Sequence, residues 1–199
     1  MAEIKIGGFG KLSTAPNDDA PLLVVFGGKN VDGRESGLYM WDFMSKIQNK
    51  YHIFVAVNQH VNGLDSYNKL METVTTDDHH LAPAQQVLYL FSGGWLPGEH
   101  LLGHLLRHKE PIPFSWIYLV DIWMRDSVSF DFYTHLPNKV STPVSYIHTL
   151  HGAVNDKARD ALANSVGSQN EILVKPQTKD EDSMVTHMST NTVAVGLLP

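Results

Sequence analysis

Residues 85–98 read QQVLYLFSGGWLPG, an apolar run that ends on one serine, two glycines and a proline. The following residues 99–108, EHLLGHLLRH, have helical spacing, with Leu101, Leu102, Leu105 and Leu106 on one face. Ser92 therefore stands at an abrupt junction between a buried strand and a helix. Two readings fit it: a cap for a helix that Pro97 helps to begin, or a nucleophile held out above a sheet.

On either side of this junction the same alternation repeats. Residues 21–28, PLLVVFGG, form a continuous β-branched run stopped by glycines, as a strand buried on both faces requires. Helical spacing follows over 37–50, then a second such strand over 51–59. A helix around 64–74 comes next, with Asp65 or Ser66 available to cap it. After the 86–91 strand come strands over 114–122, 142–150 and 171–176, with a helix at 156–166. A closing helix over 188–198 is preferred to a strand. The opening 3–13 reads as an antiparallel edge hairpin. Residues 125–141 read as the longest irregular stretch, of the kind that covers a site.

Strand and helix in alternation predict an α/β fold: a three-layer sandwich with a mostly parallel sheet and right-handed crossovers. A chain of 199 residues with no linker or repeat is expected to be a single domain spanning 1–199.

The absence of cysteine excludes disulfides and thiolate chemistry, and a net charge of −6 with scattered cations argues against nucleic acid as a partner. The start has no apolar signal segment, and the strongest apolar run, WIYLVDIWM, is short and carries Asp121, so no membrane span is expected. The expected compartment is the cytoplasm.

In such sheets functional groups collect at the carboxyl ends of the strands. There the sequence places, in chain order, a serine, acids and a histidine: Ser92, then Asp121 and Asp156, then His187. At this point the chain resembles the α/β-hydrolase superfamily of esterases and lipases, over residue 21 to the C-terminus, in topology and in the Ser-Gly-Gly turn. The resemblance implies hydrolysis of an ester, thioester or related acyl bond. It implies Ser92 as nucleophile, His187 as base from a loop before the last helix, and Asp156 or Asp121 as the orienting acid. Gly93 and Gly28 (or Lys29) stand where the two oxyanion donors are placed. A small-molecule acyl substrate is implied, with no organic cofactor and no metal.

The spelling departs from that pattern twice. Leu90 stands where the superfamily has a small residue, which predicts a strained elbow or a collision. The acid after the fifth buried strand is displaced by one residue, Asn155 standing where Asp156 is wanted, and Asp121 is the alternative. As plainer readings, Asp156 caps the helix beginning near Lys157, Asp121 pairs with Arg125, and His187 is a solvated loop residue. His148 and His151 are rival bases.

Other motifs carry less. His100, His104 and His108 recur at four-residue spacing, yet on the edge away from the leucine face and without the glutamate of a His-Glu-x-x-His motif, so a metal site is not expected. GGFGKLST lacks phosphate-loop spacing; DDHH at 77–80 and DGRES at 32–36 read as polar loops, although Arg34 could meet a substrate carboxylate. Two alternative functions remain: a non-catalytic scaffold of the same fold that binds a small molecule or a protein, and a nucleotide binder using Gly93 and Gly94.

Overall fold

A computed structural model of the chain describes residues 2–28, 36–76, 81–124, 127–150, 156–175 and 183–199. Its centre is an eight-stranded sheet. The strands are β1 (Glu3–Ile6), β2 (Gly10–Ser13), β3 (Leu22–Phe26), β4 (His52–Ala56), β5 (Gln86–Phe91), β6 (Trp116–Val120), β7 (Val144–Thr149) and β8 (Glu171–Val174). They lie in the order β1-β2-β4-β3-β5-β6-β7-β8. The β1–β2 hairpin and the β2–β4 pairing are antiparallel; every other pairing is parallel.

Among the described residues, six helices connect and cover the sheet: α1 (Ser36–Met44), α2 (Gly63–Thr75), α3 (Trp95–His108), α4 (Ser127–Lys139), α5 (Asp156–Val166) and α6 (Ser183–Gly196). Successive side chains of a strand face opposite ways, and here both faces are dry. Leu22, Val24, Phe26, Leu88, Leu90, Ile117 and Leu119 pack with Leu70 of α2, Leu101 of α3, Tyr133 of α4 and Leu162 of α5. The alternate residues Leu23, Val25, Val87, Tyr89, Phe91 and Val120 pack with Met40 of α1 and Ala194 of α6. Continuous apolar strands and a three-layer sandwich are thus one fact.

The chain departs from the sequence reading in three places. Residues 127–139 are helix α4, not an irregular stretch. Ser129, Tyr133 and Leu136 are buried at helical spacing, and the parallel β6–β7 pair needs a crossover there. Pro137 sits near the end of the helix and hides the pattern. The cap of α2 is Asn62, whose Oδ1 accepts from the N–H groups of Leu64 (3.0 Å) and Asp65 (3.3 Å), rather than Asp65 or Ser66. His187 lies inside α6 and is buried, rather than in a loop before it.

Register carries the fold to the site. Phe26 of β3 pairs with Leu90 of β5, and Phe91 pairs with Val120 of β6. Gly28, Ser92 and Asp121 therefore emerge side by side from three central neighbouring strands.

Candidate active site

The turn after β5 is forced into one shape. Ser92 has φ +53°, in the left-handed region that a residue with a side chain rarely occupies. A single 3₁₀ turn, Ser92–Gly94, then runs into α3, and no side chain caps either helix start. The Ser92 hydroxyl makes no hydrogen bond among the described residues, so it is not acting as a helix cap. Gly94 allows the turn to sit down on β3: a Cβ there would stand 1.9 Å from the Phe26 carbonyl oxygen. Gly28 lies against the serine itself, since its Cβ would meet Ser92 Oγ at 2.6 Å and Gly93 N at 2.8 Å.

Leu90 neither strains nor blocks this elbow. It is fully buried, and the room for it comes from Gly98 on α3, where a Cβ would stand 2.5 Å and 2.8 Å from the two Leu90 methyl carbons.

Asp121 follows β6 with φ +40° and is 2% exposed. A carboxylate so buried must be compensated. Its Oδ2 accepts from His187 Nδ1 at 2.5 Å, and its Oδ1 accepts from the Thr149 N–H at 3.0 Å. The Thr149 hydroxyl adds longer contacts of 3.4 and 3.3 Å to the two oxygens. This fixes the imidazole tautomer: Nδ1 carries the proton on the Asp121 side, and Nε2 is left with a lone pair. Nε2 has no partner among the described residues, and no hydrogen bond yet joins it to Ser92.

The imidazole also has aromatic neighbours. Phe91 stacks on it with centroids 4.6 Å apart, and Trp123 with centroids 4.2 Å apart. Trp123 is tied to the elbow as well, because its backbone N–H donates to the Ser92 carbonyl at 3.1 Å.

The other expected residues are placed elsewhere or otherwise engaged. Asp156 opens α5 at the surface, where its Oδ1 accepts from Arg159 at 2.9 Å. His187 is thus paired with Asp121 and not with Asp156. The Gly28 N–H donates to the Tyr39 hydroxyl oxygen at 3.1 Å, so it is already committed; Lys29 lies outside the described residues. Burial pushes the Tyr39 phenol far up, more than the Gly28 N–H lowers it, so the hydroxyl stays protonated. Gly93 keeps its place in the first turn, where helix N–H groups lack acceptors within the helix.

His148, a rival base, is taken by Glu171 (Nε2 to Oε1, 2.9 Å) and stacked on Tyr146. His151, Asn155, Arg34, Arg125 and the DDHH stretch lie outside the described residues. His104 stacks on His108 and approaches Glu110 at 3.5 Å. Among the described residues no three His, Asp or Glu side chains gather as a metal site would require. Nor is any helix long and apolar enough to cross a membrane.

Phe91, Trp123, Thr149 and Tyr39 were not legible in the sequence as site residues. Trp123 lies two residues past Asp121, but nothing local distinguishes it from a core tryptophan.

No family model matches the sequence, and no curated protein matches it either. Solved structures do. Est1E from Butyrivibrio proteoclasticus superposes with a TM-score of 0.57 at 12% identity, over 98% of this chain and 97% of that one. An alpha-beta serine hydrolase homologue from Coxiella burnetii gives 0.57 at 10% identity, over 100% and 96%. Thermogutta terrifontis esterase 2, phosphoramylated by tabun, gives 0.55 at 12% identity, over 98% and 95%. The chain has the α/β-hydrolase fold. Ser92 stands at the strand-to-helix turn after β5, a central strand of that sheet.

Proposed function

We propose that this α/β-hydrolase-fold protein is a serine hydrolase that cleaves an ester, thioester or related acyl bond of a small molecule. The observation that carries the reading is the buried Asp121–His187 pair beside a serine with φ +53° at the end of the adjacent strand. Two residues with side chains held in the left-handed region at neighbouring strand ends, Ser92 and Asp121, support it, because backbone strain of this kind clusters at active sites.

In this reading Ser92 Oγ attacks the acyl carbon while His187 Nε2 takes its proton. Asp121 stabilises the imidazolium through the Nδ1–H bond it already makes, and does not itself take the proton. The carbonyl oxygen gains the electron pair of the broken π bond, and the Gly93 N–H receives it at the positive start of the helix. The tetrahedral centre collapses, the leaving oxygen or sulfur takes the proton from Nε2, and an acyl-Ser92 ester remains. Water, deprotonated by Nε2, then releases the acid and restores the serine. For the Gly28 N–H to serve as a second donor, the Tyr39 hydroxyl has to yield it. The Ser92–Nε2 hydrogen bond forms when substrate closes the site, a tightening that free enzymes commonly require.

A fluorophosphonate tests this directly. The folded protein is expected to lose fluoride from the reagent and carry the phosphonyl group on Ser92, while Ser92→Ala stays unlabelled by mass spectrometry. The committed Gly28 N–H and the unbonded Ser92 hydroxyl favour a second reading, a non-catalytic scaffold that binds a small molecule. Absence of labelling in well-folded protein selects it.

A further inference from the structure

We infer that Trp123 is a positioning residue: with Phe91 it clamps the His187 imidazole between two aromatic faces, and so holds both its orientation and its charge. This deepens the hydrolase reading and rests on it for its purpose, though not for its test.

The geometry begins with the two stacks. Phe91 is inclined to the imidazole by 21° and Trp123 by 30°, with centroids 4.6 and 4.2 Å away. Two rings at these separations on one face would meet each other. Among the described residues Phe91 and Trp123 make no ring contact with one another, so they cover opposite faces. The imidazole is a filling between them. Its Nδ1 edge is held by Asp121. Rotation about the side chain is closed off in both directions, and only the Nε2 edge remains for a proton.

Trp123 is itself held at three points. Its N–H bonds the Ser92 carbonyl at 3.1 Å, its carbonyl accepts from the Trp95 indole N–H at 2.8 Å, and its ring lies on His187. One residue therefore ties nucleophile, helix start and base together. Its own indole N–H is buried without a partner. Leaving such a donor unsatisfied is destabilising. A ring chosen only for packing would be phenylalanine or leucine. What the position retains is a broad π face over the imidazole.

That face matters most when His187 is charged. An aromatic face attracts a cation above it, more strongly when water is excluded. His187 is 3% exposed. Among the described groups that surround it, Asp121 from the end of β6 is the one in ion-pair contact. Phe91 from β5, Ser92 in the turn after it and Trp123 are neutral, and Thr149 of β7 bonds Asp121. On α6 the Thr190 hydroxyl donates to the His187 carbonyl. His148 and Glu171 satisfy each other on β7 and β8. Among the described residues, the two rings are what the imidazolium meets besides Asp121.

The test is a proton and carbon NMR spectrum of the full protein with labelled histidine, the His187 signals being assigned by their loss in His187→Gln. In the wild-type protein the imidazole C–H protons are expected well upfield of the other histidines, shielded from both sides. Trp123→Leu is expected to move them back downfield, toward the other histidines. Trp123→Phe, which keeps a ring and removes the orphan N–H, is expected to preserve the upfield position. Wild-type signals at ordinary positions overturn the clamp, even if the leucine variant fails to fold. So does a leucine variant whose imidazole protons stay as far upfield as in the wild type. Protein that shows the shielded signals yet ignores the fluorophosphonate refutes the hydrolase reading and leaves the clamp standing; labelled protein with unshielded signals does the reverse.

Discussion

Asp121 and Asp156 differ in what surrounds them far more than in what the chain spells. Asp156 sits in water beside Arg159, and exposed pairs of that kind contribute little. Asp121 is sealed beside Val120, Thr149 and His187, and among the described residues its hydrogen bonds to Thr149 and His187 compensate its charge. Replacing the carboxylate by an amide lets His187 adopt the other tautomer and puts the Nε2 lone pair in the wrong place. If the protein hydrolyses activated esters, Asp121→Asn is expected to lower kcat by about 10³–10⁴-fold. Asp156→Asn is expected to leave it within about twofold. Steady-state rates of the two variants compare the acids directly, and a large loss in Asp156→Asn overturns the assignment.

The elbow is built by two elements that accommodate each other. The penultimate residue of β5 is Leu90, where the superfamily has a small residue, and α3 supplies the space four residues after Gly94 by placing Gly98 against the Leu90 methyls. A methyl at Gly98 would also stand 2.8 Å from the Tyr133 hydroxyl, which donates to the Trp95 carbonyl at 2.5 Å. Gly98→Ala is therefore expected to lower the unfolding free energy by about 1–3 kcal/mol, overpacking outweighing the better helix former. Combined with Leu90→Ala the loss should be smaller than the sum of the single losses, because the methyl refills the vacated space. Urea midpoints of the four proteins measure this coupling, and strict additivity would show that the two residues do not share the space.

Across the molecule, one central sheet carries both cores, and we expect residues 1–199 to unfold as one unit. His52 on β4 makes that unit sensitive to acid. Its Nδ1 accepts from the Ala15 N–H at 3.1 Å, and its Nε2–H donates to the Asp18 carbonyl at 3.2 Å. Burial holds its pKa below the ordinary 6.5, outweighing the pull of the Asp18 carbonyl. The unfolded chain therefore takes the proton more readily. Stability present above that pH is lost as the pH falls below it. Between about pH 7.5 and pH 5.5 the melting temperature is expected to fall less in His52→Gln than in wild type, as a single calorimetric transition in both. Equal pH dependence removes His52 as the cause, and two separated transitions would contradict a single domain.

Much of this was present in the sequence. Continuous β-branched runs such as LLVVF can be buried only on both faces, so the strands, their parallel order and the three layers follow from local composition. The hairpin at β1–β2 was read as an antiparallel edge and the closing helix was preferred to a strand, although α6 begins at Ser183, before His187. A serine at the end of QVLYLF was visible as an elbow, because strand-to-helix junctions are local events. Helix α4 was not, since Pro137 and scattered polar residues blur its period. Only the tertiary structure could decide which acid serves His187. Asp121 and His187 are 66 positions apart, and their 2.5 Å bond exists because β6 and α6 converge at one end of the sheet. Nothing local foretold that Phe91 and Trp123 would enclose the imidazole, or that Gly98 would make room for Leu90. Short-range pattern determines what each segment becomes; which side chains meet depends on packing between segments far apart in the chain.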